Sequence, residues 1–102
     1  MNSLLEQYIV DTEFSDVSGA EHLEMLQIRD RLFQQEGNLS SQEKERLAQA
    51  DRRLIENAAT VFLALSQFVD LADQRKIQEI GAERWWWYLD VLAQMMNVFA
   101  IA

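Results

Sequence analysis

Residues 40–80, SSQEKERLAQADRRLIENAATVFLALSQFVDLADQRKIQEI, contain neither proline nor glycine, and their apolar residues recur at helical spacing. Leu47, Leu54, Val61 and Phe68 follow one another every seven positions, and Ala58, Leu65 and Ala72 fall four after the last three of them. Residues three, four and seven apart share one face of an α-helix, so these positions make one continuous stripe, which Ile55, Phe62 and Val69 widen. Ser40 and Glu43 have the spacing of a capping box, in which a hydroxyl and a carboxylate each satisfy an orphan amide at a helix start. At the other end Arg75 and Lys76 complement the negative pole of the helix, and Gly81 follows as a natural cap. The stretch therefore predicts a single long helix, a spine for the rest of the chain; a change of register near Ser66 and Gln67 is the alternative. At 1.5 Å per residue, Leu47 to Ala72 alone spans about 39 Å.

On the amino-terminal side, punctuation comes from glycines and capping serines. Proline is absent from the whole chain, and Gly19, Gly37 and Gly81 are its three glycines. Ser3 with Glu6 and Ser18 with Glu21 repeat the capping spacing, which predicts helices over residues 4–14 and 19–36. In the second, Leu23, Met25, Leu26, Ile28, Leu32 and Phe33 form a broad apolar arc, and Gly37-Asn38 suits the left-handed conformation that ends a helix. A last helix is expected over residues 82–99. The fold class that follows is all-α, an antiparallel bundle of about four helices on one central helix, with residues 1–102 as a single domain.

That last helix carries Trp85-Trp86-Trp87-Tyr88, which holds all three tryptophans of the chain. At about 100° per residue, Glu83, Asp90, Gln94 and Asn97 fall on one narrow polar line. Trp85, Tyr88, Leu89, Leu92, Met95, Met96 and Phe99 cluster opposite it as a core face. Trp86 and Trp87 flank the polar line and are expected to point away from that core. Tryptophan offers a large rigid apolar area with one donor, the character of a binding hot spot. Trp86, Trp87, Asp90 and Gln94 are therefore the predicted partner-binding residues; the competing reading is that the amino-terminal helices cover both rings.

Charge placement narrows the partner. The net charge is −8, and between Glu6 and Glu24 there are six acids (Glu6, Asp11, Glu13, Asp16, Glu21, Glu24) with no lysine or arginine. A phosphate backbone would be repelled by this third and finds no basic stripe elsewhere, so nucleic acid is disfavoured. A basic protein partner fits better, and a solvated face that keeps a small domain soluble is the plain alternative; self-association is the other expectation, since it would cover the rings of Trp86 and Trp87 and could use the long helix as a seam. The 49% hydrophobic content argues against disorder. With no cysteine there is no thiolate chemistry, which suits a reducing cytoplasm, and the amino terminus lacks the basic region of a secretory signal. A membrane reading of residues 85–102 conflicts with Asp90 near their centre, where a charge costs about 2.5–3.5 kcal/mol.

Catalytic groups are sparse. His22, the one histidine, has Glu21 beside it but no serine, cysteine or second histidine at helical spacing, and reads as a surface residue. Glu21-x-x-Glu24 and Asp70-x-x-Asp73 resemble the carboxylate pairs, Glu-x-x-Glu on one helix and Glu-x-x-Asp on another, with which all-α nucleoside triphosphate pyrophosphohydrolases hold magnesium. That resemblance covers four residues and implies a metal-dependent hydrolase centred on Glu21 and Glu24. Here the second pair begins with Asp, and Asp70 and Asp73 fall off the apolar stripe, toward solvent. The expectation is a small acidic binding or regulatory module, an adaptor, inhibitor or antitoxin-like protein, without catalytic activity or cofactor.

Overall fold

The computed structural model describes residues 2–101, with side chains described through Met95. Six α-helices follow in order: α1 (Ser3–Glu13), α2 (Gly19–Gln35), α3 (Ser41–Glu56), α4 (Ala58–Ser66), α5 (Leu71–Gln78) and α6 (Leu89–Ile101). Two 3₁₀ turns intervene, Glu36–Asn38 after α2 and Trp85–Tyr88 before α6. Among the described residues there is no strand, and no helix is long and apolar enough to cross a membrane.

The helix starts follow the capping chemistry. Ser18 accepts from the Glu21 amide, and Ser40 and Glu43 form the full reciprocal box. At α1 the cap is Asn2, one residue before the expected Ser3; its carboxamide oxygen accepts from the amides of Leu4 and Leu5. The Glu43 carboxylate also accepts from the Asn2 amide at 3.3 Å, tying the start of α1 to the start of α3.

The expected 40–80 spine is instead three helices. The first break is at Asn57, whose backbone leaves the helical region at φ −103° and ψ 16° while its side chain donates to the Arg53 carbonyl. A carboxamide that bonds the backbone of its own turn competes with the helical ladder. The second break, Gln67–Asp70, coincides with the alternative near Ser66 and Gln67, and Asp70 caps α5 by accepting from the Asp73 amide. Leu47, Leu54, Val61, Ala58 and Leu65 of the stripe are buried, but Phe68 is 63% exposed and Ala72 is also exposed, because the stripe stops where α4 stops. Freed from one another, α3 packs on α1 whereas α4 packs between α2 and α6.

Glycine placement differs as well. Gly37 lies in the 3₁₀ turn and takes no left-handed conformation. Gly81 does not cap α5; Glu79 does, in the left-handed region at φ 52° and ψ 51°, as the Ile80 amide reaches back 3.0 Å to the Arg75 carbonyl. Ile80 is buried immediately after, so the chain must turn into the core two residues before its glycine. Gly19 is required for packing: a Cβ there would strike the Ala64 carbonyl oxygen, so α2 begins pressed against the end of α4.

Candidate functional site

The expected last helix over residues 82–99 starts only at Leu89. Arg84 is non-helical at φ −97° and ψ 61°, and the aromatic run is a 3₁₀ turn enclosed by α2, α5 and α6. A straight-helix rotation therefore misplaces its rings. Trp86 and Trp87, expected at the surface, are each only 1% exposed, while Trp85 and Tyr88, expected in the core, are half-buried. Met96, Asn97 and Phe99, the remaining expectations for this helix, have side chains outside the described ones.

Both indoles turn inward toward one acceptor. Oδ1 of Asp30 accepts from Trp86 Nε1 at 2.8 Å and from Trp87 Nε1 at 2.9 Å. Arg84 completes the clasp, donating from Nε to Oδ1 at 3.1 Å and from Nη2 to Oδ2 at 2.6 Å. Trp86 meets Phe33 and Trp85 edge-on, with centroids 5.6 and 5.7 Å away. The Arg29 guanidinium stacks on its face at 4.2 Å, within the range of a cation–π contact.

Arg29 leads into a second polar cluster below the rings. It is 3% exposed and binds Asp51 through Nε at 3.0 Å and Nη2 at 3.1 Å, and Glu36 through Nη2 at 2.8 Å. Tyr8 donates to Asp51 at 2.7 Å. Burial raises the Tyr8 hydroxyl well above the ordinary phenol range, and the Asp51 charge raises it further. For Arg29, burial opposes the charged form, but the bonds and charge of Asp51 outweigh it and hold the guanidinium protonated. Its Nη1 is buried without a hydrogen-bond partner, a cost that the electron-rich face of Trp86 partly offsets. These groups bind one another and serve the core. A sequence signal for them existed: Arg29 lies four residues after Met25 and three before Leu32, so a charge sat in the middle of the apolar arc.

Asp90, the third predicted partner-binding residue, is paired within the chain. Arg75 donates to it through Nη1 at 2.7 Å and Nη2 at 3.0 Å, and Nη1 also reaches the Trp87 carbonyl at 2.9 Å. Burial would raise the Asp90 carboxyl, but the Arg75 bonds and charge prevail and lower it. Gln94, the fourth, is exposed; with Asp90 and Ala93 on α6 and Ala59, Phe62 and Leu63 on α4 it borders a groove of about 400 Å³.

Five of the six acids of the amino-terminal third fall into two groups. Glu6 and Glu13 lie 3.5 and 3.9 Å from Arg46 and Arg53. Asp11 on α1 and Glu21 and Glu24 on α2 instead border a cleft of about 370 Å³, and among the described residues none of the three is in a salt bridge. Phe14, Val17 and Met25 supply its apolar walls, and Phe14 is 57% exposed. Burial raises the Asp11 carboxyl above its ordinary range, and the charges of Glu24 and Glu21 add to the rise against the lowering bond from Gln7 and the lowering influence of His22. His22, expected at the surface, is 1% exposed, lines the same cleft and bonds the Ser15 carbonyl through Nε2 at 3.1 Å.

Of the carboxylates in the pyrophosphohydrolase-like pattern, Asp70 and Asp73 are exposed at the start of α5, and Glu21 and Glu24 lie in the α1–α2 cleft. Among the described residues no group of three His, Cys, Asp or Glu side chains is placed to hold a metal ion. No protein-family model, curated protein or solved structure matches the chain.

Proposed function

We propose that the chain is a small non-catalytic binding module, and that the acidic surface at the end of α1 and the start of α2 engages a basic segment of a protein partner. The observation that carries this reading is the α1–α2 cleft, where Asp11, Glu21 and Glu24 border one concavity and, among the described residues, none of the three is paired with a lysine or arginine. Burial is the main cause of the raised Asp11 carboxyl, and the charges of Glu24 and Glu21 add a smaller rise that a cationic ligand would relieve. Exposed Phe14 at the rim adds apolar area of the kind that protein interfaces bury. The aromatic run takes no part, since Trp86 and Trp87 are spent on Asp30.

Affinity purification from the native host, with wild type and with Glu21→Gln plus Glu24→Gln in parallel, tests this reading. Both side chains are exposed, so the double variant folds. Wild type is expected to retain basic proteins that the variant loses and that rising salt elutes first. Retention of the same proteins by both forms would remove the acidic surface from the function.

A further inference from the structure

The two longest runs of the chain without Asp, Glu, Lys or Arg are residues 57–69 and 91–102. They supply α4 and most of α6, and these two helices pack on each other. In a chain that is 25% charged, this helix pair carries one charged residue, Asp90, and Arg75 neutralises it. The α4 sequence, AATVFLALS, is apolar almost all round, and a helix of that kind is ordinarily covered on every side. Here α2 and α6 cover it from two sides and the outward one stays open: Ala59, Thr60 and Leu63 are exposed, Leu63 by 63%. Exposed apolar side chains elsewhere stand among charges, Phe14 between Glu13 and Asp16 and Ile77 between Lys76 and Glu79.

The shape of this face matches itself. Ala59 and Ala93, two of the side chains that line the α4–α6 groove, are single methyl groups and leave it hollow, while Leu63 on its edge projects into solvent. A hollow and a projection on one patch are what an isologous pair requires, since a two-fold axis places the projection of each copy in the hollow of the other. Charge selects the same occupant. Two copies of net charge −8 repel one another wherever acidic surfaces approach, and least across a face whose one carboxylate is already paired. A basic segment gains no attraction from such a face. Depletion of charge is also what marks the centre of a protein interface.

We propose that α4 and α6 form the face on which this chain pairs with a second copy of itself, Leu63 of each copy seated between Ala59 and Ala93 of the other. At 1.5 Å per residue the two helices are about 14 and 20 Å long, so the face is small and the dimer belongs to the weak, concentration-dependent class. The groove shares no residue with the α1–α2 cleft, so a dimer keeps the acidic surface for a separate partner.

Sedimentation velocity of the full chain, over a concentration series from micromolar to near-millimolar, tests the pairing. The mass is expected to rise from the 11.9 kDa of one chain toward twice that value and to stop there. Salt should strengthen the association, because it screens two like-charged copies, the opposite of its effect on a basic partner. Leu63→Glu and Leu63→Arg should each weaken the dimer about a hundredfold, since symmetry counts each substitution twice. Ala59→Phe fills the hollow while making the face more apolar, and should weaken it about as much. Circular dichroism should show the helix content of all three variants unchanged, as both positions are exposed. A monomer at every concentration would overturn the pairing. So would an Ala59→Phe form that associates as well as wild type, or masses that climb past two chains, since either means unspecific adhesion. Leu63→Glu should keep the basic proteins that wild type retains, so failure of the dimer and failure of the acidic surface are read separately.

Discussion

Asp30 receives four hydrogen bonds, two from Arg84 and one each from the indoles of Trp86 and Trp87, and so ties the middle of α2 to a turn more than fifty residues away in sequence. A buried indole N–H without an acceptor costs about 1–3 kcal/mol. Asp30→Ala strands two of them and frees Arg84, so we expect a loss of about 3 kcal/mol, read by urea unfolding with tryptophan fluorescence. Loss below about 1 kcal/mol would mean that ring packing alone seats the turn. Arg29, the next residue, shows the other use of a charge in this core: it holds Asp51 and Glu36 and lies under Trp86. The Arg29-Asp30 pair was visible in the sequence as charge on an apolar arc, but its partners Asp51, Trp86 and Trp87 were not, since they lie on other elements.

Helix boundaries obey local chemistry where a cap is present and depart from it where the core intervenes. Ser18 and Ser40 start α2 and α3 as their spacing predicts, whereas α5 ends on Glu79 in a left-handed conformation that disfavours a side chain. Glu79 is exposed and its side chain has no role in the core. Glu79→Gly should therefore stabilise the protein by about 0.5–1 kcal/mol, measured as a rise in the thermal midpoint by circular dichroism. A decrease would show that the turn owes its geometry to the glutamate. The breaks at Asn57 and Gln67–Asp70 are of the opposite kind. Seven-residue recurrence favours a straight helix through both, and the gain from letting α3 and α4 face different neighbours, together with the local bonds of Asn57 and Asp70, overrides it.

At the scale of the molecule, ion pairs fasten the carboxy-terminal segment to the remainder, Arg84 to Asp30 and Arg75 to Asp90. Asp90 has a carboxyl lowered in the folded state, so it contributes stability that is present above the ordinary value of 3.8 and is lost as pH falls through the lowered one. Asp11 has the opposite sign: its raised carboxyl favours folding below the ordinary value and disfavours it as pH rises. Two variants separate these contributions in acid titrations of the unfolding free energy. Asp90→Asn should be less stable than wild type at neutral pH and lose less on acidification below pH 3.8. Asp11→Asn should be more stable at neutral pH and lose more over its window. Parallel curves for all three proteins would show that neither carboxyl is coupled to folding.

Helical class, the capped starts of α2 and α3 and the apolar positions of α2 and α3 were legible in the sequence, because caps and 3.6-residue periodicity act over a few residues and need no distant partner. The acidity of the first third was legible for the same reason, as composition. Which way Trp86 and Trp87 face and which carboxylates pair with an arginine were decided by the tertiary structure alone. Each depends on groups brought together from separate elements, Asp30 with the tryptophans, Arg75 with Asp90, and Asp11 with His22 across the α1–α2 cleft. Angular position on an ideal helix carries no knowledge of these neighbours, and a 3₁₀ turn at residues 85–88 is enough to turn an expected surface into the centre of the core.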